Sequence, residues 1–312
     1  MIVGIDVSKD KLDVFVSETN QHHTIKNTKA AIGSFFKSKL KNLSVDLVVF
    51  EATGGYERLL QLYVSDNGIA YHKAHALRVK RFGQATGFFA KTDKQDASLL
   101  ARYGSQEQVK ADKPISQKQL ECHRSARLVE SIKKQLQSAK NQVTMACTKE
   151  ERQYHKSHIR FLERELVKAR EAFDLRIDQQ PELREKRELL QTMKGVGREI
   201  SAMLIACLPE LGEISREAVS CLVGVAPKNN DSGIRQGRRQ ISHGRFHVRK
   251  ALYMAALVSI RHNPKMKAFY EKLLAKGRAK KVAIIAVARK VLITLNAMVR
   301  TGTPWRPNFN EI

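Results

Sequence analysis

The chain opens with Met1-Ile-Val-Gly-Ile-Asp-Val7, and the run Leu12-Asp-Val-Phe-Val16 follows it closely. These two stretches decide the fold class, because both are rich in residues that favour β-strands. Between them, Ser8-Lys-Asp-Lys11 is typical of a hairpin turn. The sequence therefore predicts a β-hairpin at the start of the chain.

Downstream of the hairpin, helical spacing alternates with short apolar runs. Residues 29–40, 57–66 and 92–103 have the spacing of helices, and residues 47–50 and 69–72 read as short strands. Hairpin, helix, strand, helix, strand and helix in this order predict a mixed sheet covered by helices, which is an α/β domain. We place this domain at residues 1–110.

A different pattern covers residues 116–190. Apolar residues recur at spacings of four and three, which is a heptad seam and predicts a helical coiled-coil spacer. The phase slips within the charged segment 149–156, so either two helices fold back there or one long helix carries a discontinuity. A plain spacer and an oligomerisation arm both remain open. The seam residues are Ile132, Leu136, Ala139, Val143 and Ala146, then Ile159, Leu162, Leu166, Ala169 and Phe173.

A mainly α-helical domain is predicted for residues 191–312. It starts with Met193-Lys-Gly-Val-Gly197, which resembles half of a helix-hairpin-helix, so Lys194, Gly195 and Gly197 are candidates for contact with a phosphate. Residues 224–245 are rich in Gly, Asn and Arg and predict a loop or short hairpin. Three helices are expected after it, at residues 246–261, 264–276 and 279–300.

Charge indicates the class of partner. The chain carries 56 Lys and Arg against 31 Asp and Glu, a formal charge of +25, which favours a polyanion. We find no apolar stretch of the roughly 18 residues that span a bilayer and no signal peptide. The four cysteines are far apart and are expected to be reduced, mostly buried thiols. These features predict a cytoplasmic protein that binds nucleic acid and no membrane.

Four acidic residues stand out against this basic background: Asp6, Glu51, Asp93 and Asp96. Asp6 lies inside an apolar run, where an unpaired carboxylate is costly. Glu51 ends an apolar strand and precedes a tight turn, and the i,i+3 spacing puts Asp93 and Asp96 on one helix face. Such a set could hold two cations roughly 4 Å apart, with Mg²⁺ or Mn²⁺ the best match for carboxylate oxygens.

Structural readings of the same acids remain open at this point. Glu51 could be a solvated charge at a strand end. Asp93 and Asp96 could favour the first turn of a helix, since Thr92-Asp-Lys-Gln95 fits a capping box.

Ser232 is the candidate nucleophile. It lies in Asp231-Ser-Gly233, which is ordinary turn chemistry, but guanidinium groups that suit phosphate oxygens follow it closely. A hydroxyl beside such groups could attack a phosphodiester. The basic residues could equally be solvated contacts with nucleic acid; they are Arg235, Arg238, Arg239 and Arg245.

Several loose motifs occur together in a specific order. They are Gly4-Ile-Asp-Val-Ser-Lys9, Phe50-Glu-Ala-Thr-Gly-Gly-Tyr56, Lys91-Thr-Asp-Lys-Gln-Asp-Ala97, Lys194-Gly-Val-Gly197, Gly224-Val-Ala-Pro227 and Asp231-Ser-Gly233. In this combination, over nearly the whole chain, the sequence resembles the DEDD transposases of insertion-sequence family one-hundred-ten, including its eleven-eleven branch. These are bacterial recombinases guided by a bridge RNA.

The resemblance implies a RuvC-like, ribonuclease-H-type amino-terminal domain in which Asp6, Glu51, Asp93 and Asp96 hold Mg²⁺. It implies a helical spacer and a transposase domain whose Ser232 attacks DNA and forms a covalent phosphoserine link. It also implies dimers that pair into a tetramer, in which each active site combines domains of different subunits.

We therefore expect a transposase that cuts and rejoins DNA with Mg²⁺ and a guide RNA. Two alternatives stay open on the residues. One is a RuvC-type junction nuclease that uses water and needs no Ser232. The other is a nucleic-acid-binding protein without enzymatic activity, in which the carboxylates serve as caps and salt bridges.

Overall fold

A computed structural model describes residues 1–41, 43–88, 93–228, 237 and 239–306, without the side chains of Asp93 and Lys94. The described chain forms two compact units, Met1–Leu120 and Glu121–Ile312. The spacer and the carboxyl-terminal part, which the sequence predicts as separate domains, thus lie in one compact unit.

The first unit contains a five-stranded sheet in the order β3-β2-β1-β4-β5. The predicted hairpin is confirmed, since β1 and β2 pair antiparallel, and β4 and β5 continue the sheet in parallel. The sequence missed β3, because its residues Gln-His-His-Thr-Ile-Lys are polar and it lies at an exposed edge. The strands are β1 (Ile2–Val7), β2 (Lys11–Val16), β3 (Gln21–Lys26), β4 (Leu47–Glu51) and β5 (Tyr71–Ala74).

Helices cover both faces of this sheet. α1 (Lys29–Lys39) and α2 (Arg58–Asp66) pack on one face, and α3 (Ala76–Ala85) and α4 (Asp93–Gln106) on the other. The prediction missed α3, and β5 starts two residues later than expected. An α/β unit with helices on both faces agrees with the predicted fold class.

α5 (Gln117–Met145) and α6 (Lys149–Asp178) are two long helices in the region predicted as a spacer. They fold back on each other, since Lys140 of α5 pairs with Glu163 of α6 at 3.1 Å. The break falls before the charged segment rather than within it. Thr148 caps α6 by accepting the N–H of Glu151 at 3.1 Å, so the charged residues begin a helix instead of interrupting one.

Six further helices complete the second unit, and the three predicted near its carboxyl end are confirmed within about two residues. One buried apolar cluster joins α5 through α12. The helices are α7 (Pro181–Gln191), α8 (Arg198–Cys207), α9 (Arg216–Val223), α10 (Phe246–His262), α11 (Pro264–Ala275) and α12 (Lys280–Thr301).

α12 corrects the expectation that no stretch is long and apolar enough to cross a bilayer. By length and composition this helix passes that test, the one such helix in the described part of the chain. However, 61% of its apolar window is buried inside the protein. Val287, Val291 and Leu295 are fully buried in the core of the second unit, so packing against neighbouring helices accounts for its composition.

The cysteines are less buried than expected. Cys122 and Cys207 are buried, whereas Cys147 and Cys221 are exposed, and all four are free thiols. Burial raises the pKa of the Cys207 thiol to about 11, so this thiol stays protonated at neutral pH.

Candidate functional site

Asp6 and Glu51 are neighbours at the carboxyl ends of two parallel strands. β1 and β4 pair in a register that aligns Gly4 with Val49 and Ile5 with Phe50. The next position on each strand is Asp6 and Glu51. Because adjacent strands lie about 4.8 Å apart, the two carboxylates project side by side.

The alternation of the strands puts both carboxylates on the face that α4 covers. Val48 and Phe50 pack with α1 and α2 on one face, whereas Leu47 and Val49 pack with α3 and α4 on the other. Glu51 is two residues beyond Val49, so it points to the α4 face. Gly4 touches α4 directly, and Asp6 is two residues beyond Gly4.

The direction of α4 brings its amino end to the same place. A Cβ on Gly104 would lie 3.3 Å from Ile2, whereas a Cβ on Gly4, two residues further along β1, would lie 2.6 Å from the backbone nitrogen of Ala101, three residues earlier in α4. The helix therefore runs opposite to β1, and its first turn lies towards the strand ends that carry Asp6 and Glu51. Asp93 is the first described residue of α4, and Asp96 lies three residues further along the helix.

Helical periodicity places Asp96 on the side of α4 that faces the sheet. It lies four residues before Leu100, which is buried against the sheet, so both belong to the sheet-facing stripe of α4. The side chain of Asp93 lies outside the described residues. The capping and the ligand readings of Asp93 and Asp96 therefore both stay predictions.

Asp6 is less enclosed than its sequence context predicts. Val3, Gly4, Ile5 and Val7 are buried, but Asp6 is partly exposed. Its position near the end of β1 explains the difference, because the contact of α4 with the strand is centred on Gly4. A partly exposed carboxylate is open to solutes, which a ligand for an exchangeable cation needs.

Asp13 is a neighbouring carboxylate that the sequence analysis missed. It pairs directly with Asp6 across β1 and β2, so it lies on the same face. Its buried carboxylate accepts a hydrogen bond from the hydroxyl of Thr24 at 2.6 Å and forms an ion pair with Lys11 at 3.1 Å. Leu12-Asp-Val14 repeats the apolar-acid-apolar pattern of Ile5-Asp-Val7, and this repeat is the signal that could have identified it.

The loop after Glu51 is held by a buried carboxylate. Glu57 accepts the backbone N–H of Gly55 at 2.8 Å and that of Thr53 at 3.2 Å, and Lys73 approaches it at 3.5 Å. Burial opposes ionisation, but these backbone hydrogen bonds and the Lys73 charge prevail and lower the pKa of Glu57. The loop turns at Gly54 and Gly55, whose φ angles are 73° and 122°.

The donors at this edge suit a hard divalent cation. Carboxylate oxygens are the ligands that Mg²⁺ and Mn²⁺ prefer. Among the side chains that the structure describes, no group of three or more His, Cys, Asp or Glu lies close enough to hold a metal ion. The predicted set also needs the carboxylate of Asp93, which is outside that part of the chain, so the four-ligand site stays a prediction.

The second unit carries the loop of the candidate nucleophile. Ser232, Arg235 and Arg238 lie outside the described residues, but both ends of their loop are described. The backbone N–H of Lys228 donates to the carbonyl of Gln240 at 3.0 Å, an isolated antiparallel bridge. This bridge agrees with the predicted loop or short hairpin and brings the two flanks of the Ser232 segment together.

Next to this bridge, the backbone of residues 222–224 contacts the backbone of residues 244–245. The N–H of Arg245 donates to the carbonyl of Leu222 at 3.0 Å, which links the start of α10 to the end of α9. A Cβ on Gly244 would lie 2.5 Å from the nitrogen of Gly224, so only glycine permits this approach. The loop therefore leaves and rejoins the helices through a closed base, which we call the neck (residues 222–228 and 240–245).

Of the predicted phosphate contacts in the turn before α8, Lys194 and Gly197 are exposed. Gly197 caps α8 without any side-chain hydrogen bond, so the first amides of this helix have no side-chain cap. Gly195 has a packing reason to be glycine, because its φ is 105° and a Cβ there would lie 2.9 Å from the nitrogen of Ser259.

The two described arginines near the neck differ. Arg239 is exposed. Arg245 forms a bidentate pair with Glu210, at 2.5 and 2.6 Å, and donates to the carbonyl of Cys207 at 3.0 Å. This pairing fixes the start of α10 to the end of α8. Contact of either arginine with nucleic acid stays a prediction.

Two family models match the chain in consecutive regions. A family of DEDD transposases typified by IS110 matches residues 3–149, and the family described as Transposase IS116/IS110/IS902 matches residues 187–271. The first match contains the sheet, α4 and Asp6, Glu51, Asp93 and Asp96. The second contains the neck and Ser232.

Similar proteins include the pilin gene-inverting proteins of Moraxella bovis and Moraxella lacunata. Each is 28% identical over 329 aligned positions, which cover 99% of this chain and 98% of the relative. An uncharacterised 42 kDa protein of insertion element IS900 from Mycobacterium paratuberculosis is 31% identical over 126 positions, covering 38% of this chain and 31% of the relative.

Proposed function

The chain belongs to the IS110 family of transposases, and from that premise we propose that it cuts and rejoins DNA through a covalent link to Ser232, guided by an RNA. Residues 1–110 are the RuvC-like catalytic domain, residues 116–190 the spacer and residues 191–312 the transposase domain. The bacterial cytoplasm, where the DNA lies, is the place of action.

The alignment of Asp6 with Glu51 is the observation that carries this proposal. Two carboxylates side by side at the ends of adjacent parallel strands, both partly exposed on the face that α4 covers, present the charged oxygens that a divalent cation prefers. Asp6, Glu51, Asp93 and Asp96 would hold Mg²⁺ or Mn²⁺ there. Such a cation supplies charge stabilisation for a phosphate undergoing substitution.

Ser232 supplies the nucleophile. Its Oγ attacks a phosphorus of the DNA backbone and gives up its proton as the new P–O bond forms. The bond from that phosphorus to one DNA oxygen breaks, and this oxygen leaves as a hydroxyl after gaining a proton. A hydroxyl of another DNA end then attacks the phosphorus of the phosphoserine and gives up its proton as the new phosphodiester forms. The bond to Oγ breaks, and Oγ regains a proton.

This route conserves the energy of the broken phosphodiester, which rejoining needs. The names of the two Moraxella relatives describe the inversion of a gene, and inversion requires every broken strand to be rejoined. Hydrolysis by water would lose that energy. The proposal therefore favours a recombinase over a junction nuclease.

RNA and self-association complete the proposal. The formal charge of +25 suits more than one nucleic-acid partner, and a guide RNA would select the DNA site. Dimers would pair into a tetramer so that two DNA ends are handled together. The residues proposed to contact phosphate are Lys194, Gly195, Gly197, Arg235, Arg238, Arg239 and Arg245.

The test uses purified protein, a plasmid that carries the gene with its flanking non-coding DNA, and Mg²⁺. We expect rejoined recombinant DNA, a discrete RNA that co-purifies, and loss of recombination after ribonuclease treatment. Full recombination activity without RNA would show that the protein needs no guide RNA. Cut but unjoined ends would indicate the junction nuclease, and binding without metal-dependent cleavage would indicate a non-enzymatic binding protein.

A further inference from the structure

Arg249 lies where the loop of Ser232 returns to the helical core. It is one turn into α10 and is half-buried. Its Nη1 donates to the carbonyl of Gly224 at 3.3 Å and to the carbonyl of His243. One guanidinium group thus joins the residue at which the loop leaves α9 to a residue at which the loop comes back.

Both acceptor residues lie at backbone positions that such a partner can fix. Gly224 is the C-cap of α9, where helix carbonyls lack intrahelical donors and the helix dipole favours a cation. His243 has a φ of 59°, a left-handed conformation that is costly for a residue with a side chain. The hydrogen bond from Arg249 holds His243 in that conformation and so defines the path of the returning chain.

The guanidinium of Arg249 also lies over an aromatic ring. Its guanidinium carbon lies 5.7 Å from the centre of the Phe246 ring. Gly224 and Gly244 let the two backbone strands approach beneath it, since a Cβ on Gly244 would lie 2.5 Å from the carbonyl carbon of Val223. The guanidinium therefore bridges the two backbone segments close to the point where they come into contact.

We propose that Arg249 is a positioning residue for the transposition reaction: it locks the neck, which carries the segment with Ser232, and the covalent step on DNA depends on that lock. This rests on the proposed role of Ser232. The guanidinium acts on the carbonyls of Gly224 and His243 and not on DNA, so its loss should slow the covalent step without weakening DNA binding. Misplacing a reacting group by about 1 Å can cost about 100-fold in rate.

The experiment compares full-length wild type with Arg249→Met, Arg249→Lys and Arg261→Met. Methionine keeps the apolar stem without the donors, and lysine restores donors on a shorter reach. Arg261 is exposed near the end of the same helix, so Arg261→Met removes the same group away from the neck. Three quantities are measured: hydrogen exchange of the Arg245 and Lys228 amides, affinity for DNA, and the rate of Ser232–DNA adduct formation at saturating DNA.

Arg249→Met should speed exchange at both neck amides while exchange within α12 stays unchanged, and Arg261→Met should match wild type. The rate of adduct formation by Arg249→Met should fall about 10- to 100-fold, with DNA affinity unchanged. Arg249→Lys should recover part of that rate. Unchanged neck exchange in Arg249→Met overturns the inference. The inference is also overturned if the rate of adduct formation by Arg249→Met falls only in proportion to the fraction of that variant that is folded. A wild type that forms no adduct on Ser232 overturns the proposed function instead, and the exchange data still decide whether Arg249 locks the neck.

Discussion

At the scale of single residues, one glycine and one pair of acids organise the candidate metal edge. Gly4 lets α4 cross β1 so closely that a Cβ would lie 2.6 Å from the nitrogen of Ala101. This contact directs the amino end of α4 towards Asp6 and Glu51. The sequence allowed Asp6 and Glu51 to be singled out, because each acid interrupts or ends an apolar run. Asp13 was missed: its apolar flanks mark it in the sequence, but only the strand register places it beside Asp6.

Replacing Asp6 tests the ligand role. Asp6→Asn should lower Mg²⁺-dependent strand cleavage by about 100-fold or more, because it removes a charged oxygen ligand at nearly constant size. DNA affinity should stay equal or rise slightly, since a negative charge is lost. Asp10→Asn is the matched control, an exposed carboxylate in the adjacent hairpin turn. Cleavage by Asp6→Asn at the rate of this control would exclude Asp6 as a ligand.

Replacing Gly4 tests the docking of α4. Gly4→Ala should destabilise the protein by about 1–3 kcal/mol, because the added methyl overlaps the backbone of α4. Gly33→Ala, in the middle of α1, is the contrast, since its Cβ would lie at an ordinary contact distance of 3.5 Å from Tyr63. There alanine should stabilise by about 0.5–1 kcal/mol. Denaturant unfolding measures both, and equal effects of the two changes would refute the close crossing.

At the scale of elements, polarity decided what could be predicted. α1, α4, β1, β2 and β4 were foreseen because apolar spacing marks them. β3 has alternating exposed and half-buried polar residues, and α3 carries mostly polar and basic residues, so neither stands out. The fold-back of α5 and α6 was left open because a heptad seam fixes the buried side of a helix and not its direction.

The loop between β4 and α2 depends on an ionised Glu57. The pKa of Glu57 is lowered in the folded state, so its stabilising effect is present above its ordinary pKa and is lost as pH falls through the folded-state value. Glu57→Gln should cost about 1–3 kcal/mol at pH 7, because the N–H groups of Thr53 and Gly55 lose a charged acceptor. That difference should shrink on acidification. Denaturant unfolding across pH measures it, and a difference independent of pH would contradict the role given to Glu57.

At the scale of the whole molecule, charge is unevenly distributed. After Glu217 the acids are Asp231, Glu271 and Glu311 alone, whereas lysine and arginine recur throughout. The turn between α11 and α12 is basic and exposed, and none of its cations has an acidic partner among the described residues. These cations are Lys276, Arg278, Lys280 and Lys281. Composition alone predicted a polyanion partner, but only the fold shows where the charge is exposed and unpaired.

This turn should contribute to phosphate binding. Arg278→Gln should weaken binding to duplexes of any sequence and reduce the slope of log affinity against log salt concentration by about one. Lys168→Gln should change the slope less, because Lys168 already pairs with Glu165 at 2.8 Å. Fluorescence anisotropy over a salt series measures both. Equal slopes for Arg278→Gln and wild type would place the nucleic acid elsewhere.

The central claim is that this transposase breaks DNA through Ser232 with the aid of a metal held at Asp6 and Glu51. Its most direct test is mass spectrometry of the peptide linked to DNA after the protein meets labelled substrate, RNA and Mg²⁺. The account predicts a phosphodiester link on Ser232 in wild type, and no adduct in Ser232→Ala or without Mg²⁺. A link on another residue such as Ser242 or Tyr253, or cleaved DNA without any linked peptide, would contradict it.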